Sequence, residues 1–93
     1  AKQYSNYFKN IDFNFFEEPE NSISNYWLNS IILKNKKERD LFLEISNKNH
    51  VMTRPIWILM NKLKMFKKAQ CSEIKNSIWL SERLVNLPSS VRL

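Results

Sequence analysis

The chain contains no glycine at all. That excludes a Gly-rich phosphate loop and the usual dinucleotide fingerprint, both of which need backbone without a Cβ where it nears a phosphate. Any turn that requires positive φ must then use another residue, and asparagine tolerates that region best after glycine. One cysteine, Cys71, and one histidine, His50, leave no Cys/His metal cluster and no internal disulfide. The lone thiol reads as a small structural hydrophobe. Such cysteine usage favours a reducing, cytoplasmic setting over secretion. No apolar run approaches the roughly 18–20 residues that span a bilayer. The longest, Pro55 to Met60, reads as a strand or its end, so no membrane role is expected.

Catalytic sets are missing too. No Ser–His–Asp arrangement has a recognisable context, and Glu17 and Glu18 are adjacent. In a strand, neighbouring side chains face opposite ways, which makes those two a poor acid/base pair. No catalytic residue is expected within this chain.

What is present suits one domain. The chain has 93 residues, with six Phe, three Trp and three Tyr, more large apolar groups than a disordered segment carries. A chain this short buries only about 60–65% of its unfolded surface, so its stability margin is thin. It opens at Ala1 inside what reads as a helix, with Tyr4, Tyr7 and Phe8 at helical spacing. The expectation is a domain cut from a larger intracellular protein.

The formal net charge is +6, which raises the alternative of a basic nucleic-acid-binding α+β module. The densest basic stretch is Lys62, Lys64, Lys67 and Lys68. Those lysines fit a solvated surface with Leu63 and Phe66 packing inward, and elsewhere the basic residues are interleaved with Asp and Glu. No aromatic pattern of an RNA-binding sheet accompanies them.

The order along the chain reads as helix, strand, strand, helix, strand, helix, strand. Ile11, Phe13 and Phe15 alternate with Asp12 and Asn14, a short strand with one buried face. Pro19 breaks it into a loop over Glu17 to Ser22. Tyr26 to Leu33 reads as the strongest strand, apolar on both sides, hence central and covered on both faces with Trp27 in the core. Asn35 caps a helix with Glu38 at capping-box spacing, and Leu41, Phe42 and Ile45 mark its buried face. The helix frays near Asn47 to Asn49, and His50 follows as a turn residue able to adopt a left-handed backbone. Val51 to Ile58 returns as a strand that Pro55 confines to an edge. Ser72 is placed to cap a last helix in which Ile74, Ile78 and Ser81 share a face, and Leu84 to Leu87 closes as a strand before Pro88. About four strands and two or three helices make an α+β two-layer sandwich.

The most informative segment is Thr53-Arg54-Pro55-Ile56-Trp57. Arg54 sits in an apolar stretch, held extended by the proline after it. Its guanidinium calls for an anionic partner, either a structural carboxylate or the carboxylate or phosphate of a ligand.

Four segments in order carry a resemblance: Ser24-Asn25-Tyr26-Trp27-Leu28-Asn29, the Thr53–Trp57 run, Leu80-Ser81-Glu82-Arg83, and Asn86-Leu87-Pro88-Ser89-Ser90. The chain resembles, from about residue 4 to Leu93, the C-terminal region of DegT/DnrJ/EryC1/StrS sugar-nucleotide aminotransferases, close to perosamine synthases and legionaminic-acid pathway aminotransferases. The resemblance implies a fold-type I, pyridoxal 5'-phosphate enzyme that moves an amino group from glutamate to a keto-sugar nucleotide for cell-surface polysaccharide biosynthesis. The Schiff-base lysine and the cofactor contacts would lie in a large upstream domain of the same chain. Residues 1–93 would be the small C-terminal domain, inactive alone and without cofactor, in a parent that is at least a homodimer. On the substrate side the resemblance places Thr53, Arg54, Trp57 and Asn61, with Thr53 and Pro55 shaping the segment. Where some family members have His and Pro, this chain has Asn61 and Lys64, and only one aromatic follows the proline.

Overall fold

The computed structural model describes residues 1–90. Three helices and a four-stranded antiparallel sheet alternate in the expected order: α1 (Lys2–Phe8), β1 (Asn14–Phe15), β2 (Asn29–Ile32), α2 (Lys36–Lys48), β3 (Arg54–Pro55), α3 (Lys75–Ser81) and β4 (Leu84–Leu87). Two 3-10 turns, Met60–Lys62 and Lys64–Phe66, lie between β3 and α3. The strands are ordered β1-β2-β4-β3, so β2 and β4 are central and the other two form the edges.

Alternation along the strands separates the two sheet faces. The register sets Asn29 opposite Leu87, Ser30 opposite Asn86, Ile31 opposite Val85 and Ile32 opposite Leu84. Ile31, Leu33, Val85 and Leu87 point to one side and form the core with Phe8 of α1. Tyr4, Phe13, Phe15, Phe42 and Leu43 close over them. The rings interlock at ordinary aromatic distances: Phe8 and Phe15 are stacked at 6.5 Å, and Phe13 meets Phe42 edge-on at 5.9 Å. The Tyr4 hydroxyl donates to Pro88 O (2.6 Å), which ties α1 to the chain leaving β4. Both long-range helices therefore cover one face, as a two-layer domain requires.

Among the described residues no helix covers the other face, which corrects the expectation for the second strand. The ladder of β2 starts at Asn29, three residues after Tyr26. Ser24 Oγ accepts from Tyr26 N–H and Asn25 Oδ1 accepts from Trp27 N–H, each at 3.0 Å. Such side-chain bonds offer the backbone an alternative to strand pairing, and here they bend it, with Tyr26 at φ 46. Trp27 is consequently 67% exposed and lies outside the core. The first strand is likewise shorter than its alternation suggested. Phe13 and Phe15 lean on the core, whereas Ile11 lies outside the ladder and is exposed.

α2 begins as its sequence requires. Asn35 is extended (φ −156, ψ 173), and its Oδ1 accepts from Glu38 N–H at 2.8 Å. An Asn35→Ala exchange should cost about 1 kcal/mol of stability, read as a lower urea midpoint with unchanged slope. The buried face of α2 is rotated from the expected one: Phe42, Leu43 and Ser46 turn inward, while Leu41 and Ile45 are about half exposed. Together with Phe13 and Phe42 they edge an open groove of about 570 Å³ between the helix and β1. The helix ends at Lys48 with Asn49 as its C-cap, and His50 takes the left-handed turn with φ 63. Asn21, at φ 60, is the asparagine that replaces glycine in the loop after β1.

α3 starts two residues later than Ser72 would place it. Ile74 occupies the cap position, and no side chain caps the helix. Two arginines fix its far end. Arg39 Nη1 donates to Ser81 O (2.8 Å), and the Arg83 guanidinium lies 4.5 Å over the Trp79 ring while donating to Trp79 O.

Candidate functional site

The face without helices carries a hollow of about 400 Å³. Its floor is the outward side of the central strands, where the Ser30 hydroxyl donates to Asn86 Oδ1 at 2.6 Å. One wall is the loop from Phe16 to Tyr26 and the other is Ile56 and Trp57, just past β3. Pro55 sets that second wall: it lacks an N–H for a further ladder bond, and the chain leaves the sheet after it. Trp57 is 71% exposed. Trp27 stands beside it, with ring centroids 6.2 Å apart and planes at 60°. Two large indoles thus meet solvent next to the hollow, although burial is the usual state of such area.

The opposite wall is held by a small network. Glu18 N–H donates to the Tyr26 hydroxyl (3.0 Å), Ser24 N–H donates to Glu18 Oε2 (2.5 Å), and Tyr26 stacks on Phe15 at 6.3 Å. A bulky residue at positive φ is a true outlier in proteins, and such strain persists where the surroundings enforce it. Here the network holds Tyr26 in the wall. One Glu18 oxygen engages the loop, and Glu18 is among the residues that line the hollow. Glu18, Tyr26 and Asn86 are the site groups that sequence reasoning missed. The Ser24–Asn29 and Asn86–Ser90 motifs contained two of them, but nothing local to Glu18 marked it.

The four residues expected on the substrate side are distributed differently. Trp57 lines the hollow. Arg54 begins beside it, since its strand register places it opposite Asn86. Its guanidinium turns toward the end of α2, where Nη1 donates to Asn47 Oδ1 (3.1 Å) and to Thr53 O (3.0 Å). No carboxylate pairs with it among the described residues. Thr53 is only 1% exposed and faces the opposite way, with its hydroxyl 2.5 Å from Ser46 Oγ. It clamps β3 to α2 and does not line the hollow. Asn61 is exposed in the first 3-10 turn, away from the hollow's lining.

The remaining candidates lie at the surface. Lys62, Lys64, Lys67 and Lys68 are all exposed, with Leu63 and Phe66 half-buried between them as expected. Cys71 is exposed, its thiol set against Ser72 O at 3.2 Å, so it is not packed as the small structural hydrophobe expected. No group of three His, Cys, Asp or Glu residues among the described residues is arranged to hold a metal. No helix among them is long and apolar enough to cross a membrane.

A small α+β domain with an aromatic-walled hollow on its bare sheet face is thus what the chain forms. The sequence profile of the DegT/DnrJ/EryC1/StrS aminotransferase family matches residues 1–93, and the chain belongs to that family. No curated protein matches it. The family's enzymes are pyridoxal phosphate-dependent, and that cofactor needs an amine for its aldehyde carbon, donors for its phosphate and a partner for its ring nitrogen. Every lysine of this chain is exposed, and none lines the hollow. The described residues do not assemble a site of that kind.

Proposed function

We propose that the chain is the C-terminal small domain of an aminotransferase that passes an amino group from glutamate to a keto-sugar nucleotide, in cytoplasmic synthesis of cell-surface polysaccharide. In this reading a large domain of the same chain carries the cofactor and its lysine, and two subunits pair in the parent enzyme. The cofactor, when bound there, supplies the electron sink for amino transfer. The observation that carries the reading is the bare sheet face. Trp57 and Tyr26 wall a hollow whose polar groups, Glu18, Ser30 and Asn86, are suited to hydroxyls. Flat aromatic walls with a few convergent polar groups are how concave sites orient a small ligand.

The work of these residues is to hold the sugar and exclude water. Aromatic faces cover the apolar side of the ring, the Glu18 carboxylate accepts from its hydroxyls, and the Asn86 amide accepts from or donates to them. Arg54, at the neighbouring strand edge, is available to an anionic group of either substrate. The groove beside Leu41 and Ile45 offers apolar area that a second domain would cover.

Trp57→Ala in the full-length enzyme tests the reading. The KM for the sugar nucleotide should rise by about tenfold, corresponding to roughly 1.4 kcal/mol of lost contact. The KM for glutamate and the thermal midpoint should stay in place. An unchanged sugar KM would remove the hollow from the substrate path.

A further inference from the structure

The last turn of α2 presents an amide whose orientation is fixed from three sides. Asn47 Nδ2 donates to Leu43 O (2.8 Å), Thr53 O (3.2 Å) and Thr53 Oγ1 (3.1 Å). Carbonyl oxygens only accept, so a reversed amide would set oxygen against oxygen at two of these contacts. The nitrogen must face inward, and Oδ1 is left pointing at Arg54 Nη1, 3.1 Å away. The inner partner is rigid as well. Ser46 Oγ donates to Phe42 O at 2.7 Å, so the hydrogen between Ser46 and Thr53 comes from Thr53. Thr53 Oγ1 then receives the Asn47 amide. This chain of bonds runs from a hydroxyl that is nearly fully buried to an exposed guanidinium.

The type of acceptor decides what the arrangement does. A carboxylate at this position would align the guanidinium and also neutralise it. The amide oxygen of Asn47 aligns it and leaves the positive charge intact. Only Nη1 is engaged, by Asn47 Oδ1 and Thr53 O. Nε and Nη2 donate to nothing among the described residues. A planar fork held at one nitrogen keeps its other edge open, which is the geometry that takes two oxygens of one anion.

We infer that Asn47 is a positioning residue that holds Arg54 for a bidentate phosphate or carboxylate oxygen pair, an inference that rests on the reading of Arg54 as a ligand contact. The anion is either the diphosphate of the sugar nucleotide or the side-chain or α-carboxylate of the amino donor. The chemistry is the same in both, a charge-assisted pair of N–H···O bonds with no second cation required.

A double-mutant cycle on the cofactor-loaded full-length enzyme tests this, with inorganic pyrophosphate and glutarate titrated separately by calorimetry. Arg54→Ala should weaken one of the two by about 10–100-fold, and the one affected identifies the source of the anion. Asn47→Ala should weaken that same anion by about 5–10-fold when Arg54 is present, and by less than about twofold in the Arg54→Ala background. A loss of equal size in both backgrounds, or none in either, overturns the positioning role while leaving Arg54 as the contact. If Arg54→Ala weakens neither anion, the reading of Arg54 falls first and the inference with it. Asn47→Gln keeps an amide and a helix-compatible side chain but displaces the oxygen by one methylene. It gives the same comparison if the alanine variant does not fold.

Discussion

Ile31→Ala should destabilise the domain by about 3–5 kcal/mol, the largest single-residue effect expected for this chain. Ile31 is 0% exposed at the middle of β2, directly opposite Val85, which is also 0% exposed. It contacts the core between the α1 and α2 side chains, where removing three carbons leaves a void that neighbours on two paired strands cannot easily fill. The total stability of a domain this size is on the order of 5–14 kcal/mol. The exchange therefore removes a large fraction of it. Circular dichroism during urea unfolding is the measurement, with Ile31→Val as the graded control at about 0.5–1.5 kcal/mol. A loss below about 1 kcal/mol for the alanine variant would mean that Ile31 does not sit at the centre of the core.

Arg54→Ala in the full-length enzyme should lower kcat/KM by about 10–100-fold, the range of one or two charge-assisted hydrogen bonds lost from a bound anion. Stability should barely change. The guanidinium is exposed and its hydrogen bonds are to an amide oxygen and a carbonyl at the surface, with no ion pair broken on removal. Steady-state kinetics beside a thermal melt separates the two effects. Unchanged catalytic efficiency would return Arg54 to a purely structural role at the β3–α2 junction.

Local chemistry was legible in the sequence, and contacts between distant segments were not. The Asn35 cap, the left-handed His50, the Pro55-limited edge strand and the Leu84–Leu87 strand all depend on residues within a few positions of one another. Each lies where the pattern placed it, although the edge strand covers only Arg54–Pro55 and not the whole of Val51 to Ile58. Trp27 lies outside the core for a reason that depends on the whole fold. Its apolar neighbours suggested a strand, but the serine and asparagine just before it turned the backbone through side-chain bonds, and the competition between those outcomes is settled by tertiary context. Ser72 has the right chemistry for a cap, yet α3 begins after Ile74 with no side-chain cap.

The candidate site divides in the same way. Arg54 and Trp57 stood out because an arginine and a tryptophan flanking a proline are unusual within five residues. The hollow itself joins Glu18 and Tyr26 to Trp57 and Asn86 across more than thirty residues, and no pattern in one sequence encodes that meeting. Thr53 shapes the segment from the core side. It belongs to the informative segment, but period-two alternation sends it to the core side, against Ser46 and Asn47.

The two-residue outer strands have a consequence for how such a domain keeps company with its neighbours. A sheet that ends in a long, regular row of free amides invites foreign strands to add to it, and repeated addition builds fibres. Here β1 offers two residues, and β3 offers two, one of them a proline without an amide hydrogen. Main-chain templating has almost nothing to grip. Association is left to side-chain surfaces, whose fit can be specific to one partner and whose growth stops once that partner is in place.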